Sequence, residues 1–290
     1  MKVVSKRVSR FKKIWIIILG IAILGFSYAY YEARNIQLVC YTFTHQDIPP
    51  GFDGKKIVFI SDIHCNIYFP PDKVKELIDR VNSLNPDIII IGGDNTVKES
   101  SVSTLFFEEI KKMKALYGVF SVLGNHDFWE DAELIQQGLI DCGFNICDNQ
   151  SYWIHNEGDS IKIGGVGDLW EDKQILENTT HDVKKSDFCI LLSHNPDYIE
   201  YISPDDGIDL MLSGHTHGGQ VTLLGLYAPV MPSYWRPKLP ETGQKYRAGW
   251  VQKDNTELYV TTGVGVGDFP FRFFAPPEIV EIILKSGSSL

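Results

Sequence analysis

Lys56-Ile57-Val58-Phe59-Ile60-Ser61-Asp62-Ile63-His64 decides how this chain folds. A short, mostly apolar run of the kind found in buried strands ends on a carboxylate and an imidazole two residues apart. On extended backbone such a pair leaves by one face, so Asp62 and His64 can hold one ion together. The same pattern recurs along the chain. Residues 88–91 close on Gly92-Gly93-Asp94, residues 119–123 on Gly124-Asn125-His126-Asp127, residues 188–192 on Ser193-His194, and residues 210–213 on Gly214-His215-Thr216-His217. Five separated strand ends can therefore aim seven potential ligands at one point: Asp62, His64, Asp94, Asn125, His194, His215 and His217. A metal site readily explains so many.

The segments between these strands are helical at first. Val74, Leu77, Ile78, Val81 and Leu84 recur at helical spacing over 71–84, with Pro71 at the first turn and Pro86 as a stop. A second amphipathic stretch covers about 101–116. Strand, helix, strand, helix, strand implies parallel pairing through crossovers. The second half is richer in strands, expected at 160–166, 188–192, 210–213, 258–262 and 279–284. Residues 219–249 carry Pro229, Pro232, Pro237 and Pro240 with several aromatics and little periodicity, and read as a long loop, either a lid or substrate wall or an ordinary surface excursion. There is no internal repeat, Walker-type loop or dinucleotide fingerprint.

The chain of 290 residues is long enough for one sizeable α/β domain, and its formal net charge is −10. Lys2, Lys6, Arg7, Arg10, Lys12 and Lys13 precede any acid, so the remainder carries −16. An acidic body argues against general nucleic-acid affinity, which needs Lys and Arg on phosphates. The basic start leads into 14–31, an uncharged apolar stretch near the lower length limit for a spanning helix, with Tyr28, Tyr30 and Tyr31 at its far end. The positive-inside rule places the N-terminus in the cytoplasm and the body outside it, as a single-pass protein of the cell membrane. A signal peptide cleaved near Ser27-Tyr28-Ala29, giving a secreted form, is the alternative. The expected divisions are 1–35 for the basic segment and anchor, 36–55 for a connecting segment with an initial strand and a turn, and 56–290 for the catalytic domain. Cys40, Cys65, Cys142, Cys147 and Cys189 form no CxxC pair and read as structural filler.

Imidazole and oxygen ligands without thiolate favour Mn, Fe, Zn or Co over a closed structural zinc site. So many ligands suit two divalent ions. Two cations about 3.5–4 Å apart activate water and neutralise phosphoryl charge, so phosphoester hydrolysis is the natural use. His126, beside Asn125 on a strand end, is free to act on the phosphoryl group as an acid, and Asp127 can orient its imidazole.

The ordered set D-x-H, G-D, G-N-H-D, H and G-H-x-H resembles the calcineurin-like metallophosphoesterases from Lys56 to the C-terminus. The resemblance implies an α/β fold, a four-layer α/β/β/α sandwich of two mixed sheets, here with an N-terminal transmembrane helix. It also implies that Asp62, His64, Asp94 and His217 serve one ion with Asp94 shared, that Asn125, His194 and His215 hold the second, and that His126 acts on the phosphoryl group. Gly214 to Gln220, Gly263-Val264-Gly265, Arg272 and Pro276-Pro277-Glu278 are similar to the small membrane-anchored or exported bacterial branch. Some of its members cleave the pyrophosphate of UDP-2,3-diacylglucosamine, a substrate reached from the cytoplasm, which conflicts with the topology above. Cys65 and Asn95-Thr96 depart from the pattern without removing a ligand.

The expected activity is hydrolysis of a phosphomonoester, phosphodiester or pyrophosphate, on a small-molecule or lipid-linked substrate, by a protein held to the membrane through its N-terminal helix. Arg272, within Phe269-Pro270-Phe271-Arg272-Phe273-Phe274, is the candidate contact to a phosphate or head group, with an arginine that covers apolar surface as the equal alternative. The alternatives are a non-catalytic metal-binding scaffold and a nuclease with the same centre.

Overall fold

Four isoleucines show how the layers arise. Strand β3 (Ile88–Ile91) is fully buried, and its alternation sends Ile88 and Ile90 to one face and Ile89 and Ile91 to the other. A strand that is apolar on both faces must lie inside a sheet covered on both sides. The computed structural model, which describes residues 2–95, 100–232, 243–267 and 269–287, has that arrangement.

The first sheet runs β1 (Gln37–His45), β12 (Glu278–Ser286), β2 (Lys56–Ile60), β3, β4 (Val119–Ser121) and β5 (Asn145–Ile146). Strands β2 to β5 are parallel, and β12 lies antiparallel to β2 while pairing in parallel with β1. The second sheet runs β10 (Gly249–Lys253), β11 (Thr256–Val260), β9 (Leu210–Ser213), β8 (Cys189–Leu192), β7 (Asp159–Gly165) and β6 (Ser151–Asn156). Strands β7, β8, β9 and β11 are parallel, with the antiparallel β6 and β10 at the edges.

The inward faces of the two sheets meet in one apolar layer that includes Phe59, Ile90 and Phe120 from the first and Ile163, Ile190 and Leu212 from the second. Burying each such side chain contributes roughly 1.5–3 kcal/mol. Helices α2 (Pro71–Ser83), α3 (Ser100–Ile110) and α4 (Asn125–Asp141) cover the outer face of the first sheet, where Leu77, Phe106 and Leu139 pack with Val58, Ile60 and Ile89. The outer layer of the second sheet is thinner. There the short helix α5 (Glu177–Thr180) and the 3-10 turn Pro196–Tyr201 stand, and Tyr198, Ile199 and Ile202 cover Leu191, Met211 and Leu258. The four-layer α/β/β/α sandwich expected from the sequence is the observed architecture.

In the 36–55 segment the strand is β1, a nine-residue edge pairing with β12, and the turn is Pro50–Phe52, which buries Phe52. Two local expectations are corrected. The second amphipathic helix stops at Ile110, and Leu116 is exposed. The other is the continuation after residues 119–123, which is helix α4, broken at Asp131 and opening directly on Asn125. Of the proline-rich stretch, residues 233–242, including Pro237 and Pro240, lie outside the described residues, as does Thr96. All five cysteines are free.

Helix α1 (Lys2–Glu32) contains a stretch, Phe11–Glu32, long and apolar enough to cross a membrane. Its apolar side chains are not packed into the body: Ile16 is 68% and Leu24 71% exposed. Its end is built in, with Ala29 and Glu32 buried and Ala33 buried just beyond it.

Candidate metal centre

Each of the seven ligand positions follows the carboxyl end of a parallel strand, which puts them on one edge of the sandwich. There the side chains converge. Asp94 Oδ2 lies 3.2 Å from His194 Nε2 and 3.5 Å from His64 Nε2. His64 Nε2 is 3.0 Å from His217 Nε2, which is 3.5 Å from Asp62 Oδ1, and His215 Nδ1 is 3.2 Å from His194 Nε2. Among the described residues three groups of mutually close ligand atoms result here, Asp62–His64–His217, Asp94–His194–His215 and, between them, His64–Asp94–His126. Asn125 is buried beside them in the first turn of α4.

The route to convergence differs from the one the spacing suggests. Asp62, His64, Asp94, His215 and His217 all have left-handed backbone, with φ of 55°, 45°, 54°, 70° and 51°. Non-glycine residues seldom adopt it, and each costs on the order of 1–3 kcal/mol. The paired ligands therefore do not share a face of an extended strand; sharp turns just past the strand ends swing them inward. The neighbouring backbone must come very close for this to work. A Cβ on Gly214 would land on the Asp62 carboxylate and Ser61, and one on Gly124 would land on Asp94.

Burial sets the charges. It pushes His64 down to about 3 and holds His215 and His217 well below the usual imidazole range, so these three are neutral lone-pair donors. Burial also lifts Asp62 to about 6, against the pull of His194. Between Asp94 and His194 burial opposes both charges, yet their contact prevails: Asp94 stays well below the carboxylate range and His194 rises to about 10. His194 Nδ1 donates to Gly92 O at 2.7 Å, which aims Nε2 into the centre.

Several buried polar atoms at the site, Asn125 Oδ1, His64 Nδ1 and His215 Nε2, have no hydrogen-bond partner in the protein. The stranded amide oxygen of Asn125, beside buried carboxylates and neutral imidazoles, fits a cation site. The donor set is two carboxylates, one amide and four imidazoles.

Of the residues around the ligands, Asp127 and Arg272 take places other than substrate or His126 contact. The main-chain N–H of His126 donates to Asp94 Oδ1 at 2.9 Å, and its partly exposed ring packs edge-on to His64 (4.7 Å) and beside Trp129 (4.6 Å). Asp127 does structural work: its two oxygens accept the N–H groups of Gly124 and Asn95 and the Asn95 amide, tying the loop of Asp94 to the start of α4. Arg272, for which contact with substrate and cover of apolar surface are the two expectations, is fully buried. Its guanidinium donates to Gly265 O at 3.1 and 2.6 Å and to Ala275 O at 3.1 Å, and Nη2 stands 3.2 Å from His217 Nδ1. Its own N–H donates to Ala29 O of α1 at 3.1 Å, so a single residue connects the apolar helix to the candidate ligand His217.

Asp168 and Trp170 escaped the sequence reading. Asp168 is buried after β7 and pushed up to about 6 by that burial, while the Trp170 ring stands edge-on to His215 at 4.4 Å. The signal was present: Gly167-Asp168 follows its strand much as Gly93-Asp94 follows β3.

With this geometry in view, similarity to known proteins is decisive. The family model of the calcineurin-like phosphoesterases matches residues 55–219. The chain belongs to that family. It is similar to the Bacillus subtilis (strain 168) protein named uncharacterized metallophosphoesterase YkuE, with 33% identity over 267 residues, 90% of each chain. It is 29% identical over 233 residues to phosphodiesterase YaeI of Escherichia coli (strain K12), covering 79% of this chain and 82% of that one. A Danio rerio transmembrane protein with metallophosphoesterase domain is 30% identical over 254 residues, which are 83% of this chain and 55% of the relative. As a calcineurin-like phosphoesterase, the protein is a hydrolase of phosphoester bonds. The family uses a dinuclear divalent metal centre, and its candidate ligands in this chain are the residues described above.

Proposed function

We propose that this protein cleaves a phosphomonoester, phosphodiester or pyrophosphate with two divalent ions, from a position anchored to the cell membrane by α1. The observation that carries the reading is Asp94. One of its oxygens is held by the His126 N–H, while the other faces imidazoles of both ligand groups. Asp62, His64 and His217 would hold one ion, Asn125, His194 and His215 the other, and Asp94 both. Such a pair supplies Lewis-acid charge and lowers the pKa of water.

The protein's own part is positioning and proton transfer. His194 is oriented by Gly92, His217 by Arg272, and the loops of Asp94 and Asn125 by Asp127. His126 stands at the partly open mouth of the site, where its imidazole can give a proton to the leaving oxygen. Trp129 and Trp170 wall the opening. The cations ahead of the apolar stretch orient α1 with its N-terminus in the cytoplasm and the catalytic body outside.

The test is turnover of 4-nitrophenyl phosphate, bis-4-nitrophenyl phosphate and UDP-2,3-diacylglucosamine by chelator-stripped protein reloaded with Mn, Zn, Fe or Mg. Metal-dependent release is expected for at least one. Metal binding without turnover of any phosphoester would favour a scaffold. Salt-sensitive affinity for DNA would favour a nuclease.

A further inference from the structure

A second apolar surface adjoins the end of α1. From Val221 to Met231 the chain carries no charge, and it closes a small hairpin in which Leu223 N donates to Tyr227 O at 2.7 Å. Leu223, Leu224 and Leu226 on this hairpin are 67%, 67% and 82% exposed. Soluble surfaces rarely gather apolar side chains this way without an interaction to serve.

Its neighbours indicate what covers it. Residues 271–274 lie between the hairpin and α1. On one side Phe271 packs against Phe26 (5.9 Å) and Phe273 against Tyr28 (5.4 Å). On the other, Val221 bridges Phe273, and Thr222 N donates to Phe273 O at 2.8 Å. The hairpin thus continues the apolar surface of a helix fit to cross a bilayer, and Tyr30 and Arg34 stack at that level, with Arg34 3.3 Å from the ring centroid. Aromatic and snorkelling basic groups of this kind mark the interface between lipid and water.

We infer that the 221–230 hairpin inserts into the same membrane leaflet that α1 leaves, holding the metal centre over the head groups so that it works on the phosphoester of a lipid resident in that leaflet. This deepens, and rests on, the hydrolase reading above. His217 leads through Gly218-Gly219 into the hairpin, and Arg272 ties His217 to Ala29, so the ligands sit at the root of the inserted surface. A phosphoryl group at head-group level then meets the site without its acyl chains leaving the bilayer. That suits an amphiphile whose extraction into water would cost about 0.8 kcal/mol per CH₂.

The test uses the full chain in phosphatidylcholine–phosphatidylglycerol vesicles. In a Cys40→Ser background, an environment-sensitive fluorophore is placed at Leu226→Cys or at Lys185→Cys, the latter on the loop before β8 at the opposite end of the strands, with the labelled parent as blank. Position 226 should shift to the blue and be quenched by nitroxide lipids, and position 185 should not. If both positions report water, the hairpin does not insert and the inference falls. In a second arm, Leu223→Glu with Leu226→Glu should lower turnover of a long-chain alkyl 4-nitrophenyl phosphodiester in vesicles by about tenfold while sparing its methyl analogue in water. Equal effects on both esters would overturn the lipid assignment. Failure of the wild type to cleave either ester in any metal would instead remove the hydrolase reading, and the fluorescence would still decide insertion.

Discussion

Replacing Arg272 with methionine tests whether one buried guanidinium holds the centre together. Methionine keeps the stem and comparable bulk, so the chief loss is the fork of donors. Gly265 O, accepting at 3.1 and 2.6 Å, and Ala275 O, accepting at 3.1 Å, would be left buried and unpaired. Two stranded acceptors at roughly 1–3 kcal/mol each set a cost near 4 kcal/mol, and release of a desolvated cation offsets part of it. A net loss of about 3 kcal/mol corresponds to a fall in melting temperature of about 6–12 °C for a domain of this size. His217 would also lose the guanidinium packed 3.2 Å from its Nδ1, which frees the ring to shift and should weaken metal binding. Scanning calorimetry of the full chain in detergent reads the first effect, and elemental analysis across a chelator titration reads the second. Arg272→Lys keeps the charge without the planar fork and should fall between. If Arg272→Met melted within about 2 °C of the parent and kept its metal, the guanidinium network would contribute nothing, and the role assigned to Arg272 would be wrong.

Three further outcomes are expected. Asp94→Asn should lose activity and most bound metal, because an amide cannot supply the shared negative charge; an active, fully metallated variant would refute the bridging role. His126→Ala should keep its metal and lose about two or more orders of magnitude in kcat, measured on a chromogenic ester, as loss of a general acid does. Asp209 is raised to about 6, chiefly by burial, from an ordinary value of 3.8, so the folded state favours the protonated carboxyl. The carboxylate therefore costs stability above about pH 6 and little below about pH 4. Asp209→Asn, which still accepts the Cys189 N–H, should stabilise the protein by about 1–3 kcal/mol at pH 8, by about half as much at pH 5 and by little at pH 4, read by denaturant melts.

The strands that carry ligands were legible because each is a buried apolar run ended by a polar motif. Those missed are short or lie at edges. Strand β5 has two residues, while β6 and β10 are half-exposed and weakly patterned. Helix α4 was missed because its first turn is itself the ligand motif, Asn125-His126-Asp127, which reads as chemistry before it reads as a helix start. The place of Arg272 was illegible for a different reason. An arginine among phenylalanines has no periodicity, and only packing reveals that its acceptors are the carbonyls of Gly265 and Ala275.

The residues alone determined which groups stand at strand ends, since strand periodicity and motif order are local properties; that the ends of two separate sheets face one edge is a matter of packing. Tertiary structure decided how they meet: the left-handed turns at Asp62, His64, Asp94, His215 and His217, the insertion of β12 between β1 and β2, and the joining of α1 to His217 through Arg272. Each depends on contacts between residues far apart in the chain, and such contacts leave no mark on hydrophobic spacing.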